Sequence, residues 1–150
     1  MPLGIILFPD RYLISNKRKV YNAITKFDII ELEKLLKNEE IPNSKLLNNT
    51  ILDDFDMNAI NLSCSIGNLE AVHYLILKGV DINTKFGKFG KTPLHIAVET
   101  NNELLLKFLL ANGADMSIKD SLGFDLYEKI DNRGHDNLKR ILDFFKEKNK

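Results

Sequence analysis

The chain has 150 residues, of which 44% are hydrophobic and 28% are charged, a composition typical of a globular domain with one continuous core. Basic and acidic residues number 21 each, which argues against a nucleic-acid-binding protein because that class normally carries a basic excess. The single cysteine, Cys64, excludes an internal disulfide, and no apolar run approaches the roughly 20 residues of a membrane span. We therefore expect a protein of the cytoplasm or the nucleus.

The first predicted segment, residues 1–18, is too apolar for a free tail. Residues 4–8 and 12–14 are hydrophobic, and Pro9-Asp10 between them indicates a turn. We expect the segment to pack on the first helical unit and shield its open end. The alternatives are exchange between two copies in a weak dimer, or docking to a partner.

The first helical unit, residues 19–52, is predicted to begin with two helices at 19–24 and 30–37. Leu32, Leu35 and Leu36 share one face of the second helix, and the opposite face is charged, as a terminal unit of an array requires. Phe27 stands 40 residues before the equivalent Gly67. Residues 40–52 are therefore predicted to contain an inserted loop, a candidate for partner recognition.

The rest of the chain is periodic. Two sets of equivalent positions, each here called a column, recur at intervals of 34 and then 33 residues. The first column is Asp56, Gly90 and Gly123, and the second is Gly67, Asn101 and Gly134. This period is typical of a solenoid built from helix pairs. We divide the chain into units 53–85, 86–119 and 120–150, the last with a highly charged second helix that suits a C-terminal cap.

Signals for helix ends agree with this division. Asn58, Thr92 and Asp125 share one column just before the first helix of their units, and all three are good N-cap residues. Pro93 follows at the first helical position, where its missing N–H costs nothing. Gly79 follows a second helix at the place where a left-handed C-cap is expected.

Residues 90–97 (GKTPLHIA) and 109–115 (LLANGAD) resemble the consensus unit of the ankyrin repeat, and residues 67–83 follow the same pattern. The resemblance is strong for residues 53–145 and weak for 19–52. It implies an all-α repeat solenoid of four ankyrin repeats, in which helix-turn-helix units alternate with β-hairpin fingers. It also implies that His95 has a structural role as a hydrogen-bonding partner of Thr92.

The sequence indicates no catalytic residue, no metal site and no cofactor. Cys64 falls in a core column without a nearby base, which is typical of a packed thiol. His73, His95 and His135 have no second ligand at metal-binding spacing. Residues 87–90 resemble a phosphate-binding loop only superficially, because they fall in a finger of the repeat.

Positions on the fingers and on the adjacent concave face are the predicted partner-binding residues. In ankyrin repeats the variable finger positions project toward partners, and here five of nine are large and apolar. A stripe of this kind is typical of an interface, although the fingers could instead pack on one another. The predicted residues are Phe55, Met57, Lys88, Phe89, Lys91, Leu122 and Phe124 on the fingers, with Ile66, Glu99 and Arg133 on the concave face.

The predicted function is a non-enzymatic protein-binding module that inhibits a partner by covering its functional surface. The resemblance extends to short inhibitory ankyrin proteins of the IκB type, which mask Rel-type transcription factors. The alternatives are a binder like the four-repeat inhibitors of cyclin-dependent kinases, in which the first helix of the second repeat is distorted, and an adaptor or chaperone of a larger assembly. We expect a protein partner, no nucleic acid and no membrane, with the chain monomeric or weakly dimeric through its N-terminal segment.

Overall fold

The computed structural model describes residues 9–37, 47–49, 51–52 and 57–149, with side chains from Asn16 onward. The longer helices in this part of the chain come in four pairs. They are α1 (Pro9–Thr25) with α2 (Ile29–Leu36), α3 (Ala59–Ser65) with α4 (Leu69–Leu77), α5 (Pro93–Glu99) with α6 (Glu103–Ala111), and α7 (Leu126–Arg133) with α8 (Asp136–Lys148). The first helices α1, α3, α5 and α7 stack in chain order, and α2 packs on α4 and α6 on α8. This is the predicted all-α repeat solenoid.

The core runs along the stack without interruption. Ile60, Leu94 and Ile130 are fully buried between first helices, and Leu75 and Leu105 are fully buried on second helices. Burial of one such side chain contributes about 1.5–3 kcal/mol. No helix in the described part of the chain is long and apolar enough to cross a membrane.

The predicted helix caps are confirmed. Asn58 Oδ1 accepts a hydrogen bond from the Asn61 N–H at 3.1 Å, and Asp125 Oδ1 accepts one from the Glu128 N–H at 2.9 Å. The Asn58 and Asp125 side chains thus satisfy first-turn N–H groups that have no partner within the helix. Thr92 is the N-cap residue of α5, and its own N–H donates to His95 Nδ1 at 3.1 Å, in agreement with the role that the resemblance implied for His95.

Two tight fingers connect the last three helix pairs, and each takes the number of the repeat that it begins. The third finger, residues 86–91, is closed by an antiparallel bridge in which Phe86 and Lys91 exchange hydrogen bonds of 2.9 and 3.0 Å. The fourth finger, residues 120–124, is closed by a bond from the Asp120 N–H to the Phe124 carbonyl at 3.1 Å. The Ser121 N–H donates to the Phe89 carbonyl at 2.9 Å and so joins the two fingers.

The N-terminal helix differs from the prediction. The helix expected over 19–24 begins already at Pro9, so the predicted turn at Pro9-Asp10 is wrong. Proline suits a first helical position because the N–H that it lacks would have no partner within the helix. Residues 1–8 lie outside the described residues, and packing of the 1–18 segment stays a prediction.

Most of the predicted loop at residues 40–52 also lies outside the described residues. The part that is described lies against the second helix pair. Leu47 is buried, the Asn48 carbonyl accepts from Asn58 Nδ2 at 2.9 Å, and Asn48 Oδ1 accepts from the Asp81 N–H at 2.9 Å. A role of this loop in partner recognition stays a prediction.

The turn between the two helices of each pair requires one left-handed residue. Its backbone φ is 57° at Phe27, 73° at Gly67, 49° at Asn101 and 68° at Gly134. Asparagine tolerates this conformation, whereas a bulky aromatic residue is strained there. The Phe27 side chain is 54% exposed, so it gains little packing in return.

We expect Phe27→Gly to raise the free energy of unfolding by about 0.5–1 kcal/mol, because the relief of strain exceeds the added chain entropy of glycine. Urea unfolding measures the change. Asn101→Gly is the matched variant at the same turn and should gain less, since Asn101 Oδ1 also accepts from Asn137 Nδ2 at 3.1 Å. A Phe27→Gly protein less stable than the wild type would contradict the expectation.

Candidate functional site

Apolar side chains are exposed on the third and fourth fingers, and lysine side chains lie over the Phe89 and Phe124 rings. Phe89, Leu122 and Phe124 are 44%, 63% and 39% exposed. The Lys91 Nζ lies 5.4 Å and the Lys88 Nζ 5.7 Å from the centre of the Phe89 ring. Such cation–π contacts hold a ring at the surface without burying it.

Five charged side chains, here named the concave network, join these fingers to the first helices behind them. Glu99 is its centre, with Oε2 at 2.6 Å from Lys91 Nζ. Glu99 Oε1 lies 3.5 Å from Lys129 Nζ and 3.9 Å from Arg133. Lys129 also pairs with Asp120 at 2.7 Å. The network therefore fixes the third finger, α5, α7 and the fourth finger relative to one another.

The Asp120 carboxylate is the buried end of this network and shapes the fourth finger. Its Oδ1 accepts the N–H groups of Leu122 and Phe124, both at 3.0 Å. Burial alone would raise the pKa of Asp120, but the Lys129 ammonium and these two N–H groups outweigh it and hold the pKa below its usual value. Asp120 is consequently charged whenever the fourth finger is formed at neutral pH.

Sequence reasoning missed Asp120 and Lys129. A signal for Lys129 was present, because it stands in the column of Leu62 and Ile96, which are both buried. A cation in a core column needs a buried anionic partner. Asp120 supplies that partner from the finger.

His95 and Cys64 have structural environments. The Thr92 N–H donates to His95 Nδ1 at 3.1 Å, and Thr92 Oγ1 lies 2.8 Å from the same nitrogen. Burial, together with the Lys129 charge, lowers the pKa of His95 although Asp120 and Glu99 oppose the shift. Burial raises the pKa of the Cys64 thiol far above its usual range, so the thiol stays protonated at neutral pH.

A cleft of about 520 Å³ opens between α3, α5 and the third finger. Met57, Phe86 and Ile96 give it an apolar lining, and Lys88 and Lys91 lie along its finger side. Among the described residues no group of three His, Cys, Asp or Glu side chains could hold a metal ion. The cleft therefore offers apolar contact and positive charge to a ligand.

The structure brings part of the predicted partner-binding set together. The members of that set that line the cleft are Met57, Lys88, Phe89, Lys91 and Glu99. Arg133 contacts Glu99, whereas Leu122 and Phe124 lie on the fourth finger. Ile66, 36% exposed, is the C-cap residue that follows α3. Phe55 lies outside the described residues. Partner contact by these residues stays a prediction.

The chain is similar to known proteins. The family model described as "Ankyrin repeats (3 copies)" matches residues 22–120. An ankyrin repeat protein of vaccinia virus (strain Western Reserve) is 35% identical over 118 residues, which cover 77% of this chain and 35% of the viral protein. The NF-kappa-B inhibitor cactus of Drosophila melanogaster is 45% identical over 51 residues, 34% of this chain and 10% of cactus.

A similar segment also occurs in an enzyme. A palmitoyltransferase of Lachancea kluyveri is 44% identical over 63 residues, which cover 41% of this chain and 8% of the enzyme. The chain thus spans about a third or less of the length of each of these three relatives.

Removal of the Asp120 carboxylate is expected to loosen the fourth finger. We expect Asp120→Ala to lower the free energy of unfolding by about 3 kcal/mol, because it leaves Lys129 and two N–H groups without their acceptor. Asp120→Asn is the matched variant and should lose about half as much, since an amide oxygen can still accept both N–H groups. Urea unfolding of the two variants measures these changes. Equal losses of unfolding free energy in both variants would contradict the role of Asp120 as acceptor of the two N–H groups.

Acidification is expected to destabilise the fold in two stages. The pKa of His95 is lowered in the folded state, so its contribution is complete above about pH 6.5 and is lost as the pH falls below that value. The pKa of Asp120 is also lowered, so its contribution is lost only below its ordinary value of 3.8. The measurement is urea unfolding at a series of pH values between neutral and acid.

His95→Gln should flatten the first stage, and His73→Gln at an exposed ring is the control. A protein that becomes more stable between neutral and mildly acidic pH would contradict the expected direction.

Proposed function

Because the chain belongs to the ankyrin-repeat family, whose members are generally non-enzymatic protein–protein interaction modules, we propose that it binds another protein and masks a functional surface of it. The observation that carries this proposal is the stripe of exposed Phe89, Leu122 and Phe124 on two fingers that are hydrogen-bonded to each other. Exposed apolar residues grouped in this way mark protein interfaces.

Rigidity supports masking as the mechanism. The concave network and the Ser121–Phe89 hydrogen bond fix both fingers before any partner arrives. A partner then orders few additional side chains on binding, so little affinity is lost to conformational entropy. The surface suits stoichiometric occlusion in the cytoplasm or the nucleus, without catalysis.

An IκB-like inhibitor of a Rel-type transcription factor is the specific form that we favour. The similarity to cactus, named as an NF-kappa-B inhibitor, supports it over 51 residues. The alternative of a kinase-inhibitor-like binder would call for a distorted first helix in the second repeat. Here α3 is a regular helix capped by Asn58, with the same length as α5, which favours the IκB-like form.

The double variant Phe89→Ser/Phe124→Ser tests the finger surface. Affinity capture followed by mass spectrometry should show at least a roughly tenfold loss of a specific partner, because aromatic anchors dominate interface energies. The control is Leu104→Ser/Phe144→Ser, which removes two side chains that are 64% and 62% exposed on the second helices. Far-UV circular dichroism confirms that both proteins fold.

An unchanged partner list would mean that the exposed finger stripe is not the binding surface. The inhibitor form has its own assay, in which the wild-type protein should displace a purified Rel-type factor from its DNA site. Partner capture without such displacement would retain the binding module and reject the Rel-type target.

A further inference from the structure

One residue that lines the cleft beside the third finger carries a buried acceptor that the fold leaves unused. Asn61 lines the cleft and is 1% exposed. Its Nδ2 donates to Asn58 Oδ1 at 2.9 Å, but its Oδ1 has no hydrogen-bond partner among the described residues. A buried acceptor without a donor destabilises the fold by its lost hydration. A ligand that donates to it therefore gains more binding free energy than one hydrogen bond normally gives.

The orientation of the Asn61 amide follows from its neighbours. Asn58 Nδ2 already donates to the Asn48 carbonyl, so Asn58 turns its oxygen toward Asn61. Only the Asn61 nitrogen can donate to that oxygen, which leaves Asn61 Oδ1 as the unused atom. In the next repeat the same column holds His95, whose Nδ1 interacts with Thr92. An amide oxygen at this position is therefore present in the second repeat and absent from the third.

The other walls of the cleft specify the rest of the ligand. Met57, Phe86 and Ile96 offer an apolar surface, and the volume of about 520 Å³ is ample for a large aromatic side chain. Lys88 is exposed on the finger side of the cleft. Glu99 lines the same cleft, but its charge is taken up by Lys91 at 2.6 Å and Lys129 at 3.5 Å. The described walls therefore present net positive charge.

We infer that this cleft binds a tryptophan side chain from an acidic segment of the protein partner. The indole ring would lie on the apolar lining, its Nε1–H would donate to Asn61 Oδ1, and a neighbouring carboxylate would pair with Lys88. Tryptophan combines a large apolar body with one donor and no acceptor, which matches this set of walls. The inference rests on the proposed function and adds the chemistry of the segment that is recognised.

The protein contains no tryptophan, so a tryptophan-containing peptide provides a signal of its own. The probe is a short glycine- and serine-rich peptide with a single tryptophan between glutamates, titrated with the protein while its fluorescence is recorded. We expect a blue shift of the emission on binding. Replacement of tryptophan by 1-methyltryptophan removes the donor and should weaken binding about three- to tenfold. Replacement of the glutamates by lysines should weaken it further, and added salt should reduce the difference.

Variants of the protein locate the site. Ser65→Phe places a ring in the cleft and should abolish the shift, and Lys88→Glu should weaken binding of the acidic peptide about fivefold. Lys119→Glu, an equal change of charge at an exposed residue that does not line the cleft, is the control. In Asn61→Leu the tryptophan and 1-methyltryptophan peptides should bind equally.

The inference is overturned if the peptide gives no shift, if Ser65→Phe leaves the shift unchanged, or if a lysine peptide binds as tightly as the glutamate peptide. Any of these results would leave the proposed function standing, provided that the Phe89→Ser/Phe124→Ser variant still fails to capture the partner of the wild type. The reverse combination, a tryptophan peptide in the cleft with an unchanged partner list, would retain the cleft and reject the finger stripe.

Discussion

The fold depends on one constraint, namely that no helix pair in this protein can bury its apolar surface alone. α5 and α6 carry fully buried residues such as Leu94 and Leu105, and α5 makes contact with the first helix of the repeat on either side of it. Stability therefore comes from the interfaces between neighbouring repeats. Polar contacts reinforce the same interfaces, as where Asn68 Nδ2 donates to the Ile24 carbonyl of the preceding repeat at 2.9 Å.

Stacking of this kind also determines where the functional surface can form. First helices pack at a fixed spacing, so the connections between repeats emerge side by side as fingers. The concave network uses this arrangement, because Glu99 on α5 can reach a lysine of its own finger and a lysine of the next repeat at once. Ion pairs that would contribute little to stability on an exposed surface are partly buried here, and they hold the fingers in place. The binding surface is thus a consequence of the same packing that stabilises the fold.

Departures from the repeat pattern coincide with the features of greatest interest. Asn61 stands in the column of His95 and retains a buried oxygen without a partner, and Lys129 stands in a column of buried aliphatic residues. Phe27 adopts a left-handed conformation that the equivalent Gly67 adopts without strain. A repeat protein offers this comparison within one chain, since neighbouring units show what each position does in the absence of a special role.

The sequence by itself determined the repeat period, the helix caps and the family, because these depend on local chemistry and on spacing along the chain. Asn58, Thr92 and Asp125 cap their helices wherever the units lie in space. Only the tertiary structure decided the start of α1 at Pro9, the pairing of Asp120 with Lys129, and the grouping of Met57, Lys88 and Glu99 at one cleft. Proline suits a turn as well as the first position of a helix, so the sequence left the start of α1 open. The ion pair depends on how the fourth finger folds back on α7, and the cleft depends on which surfaces meet when the repeats stack. Spacing along the chain does not specify either contact.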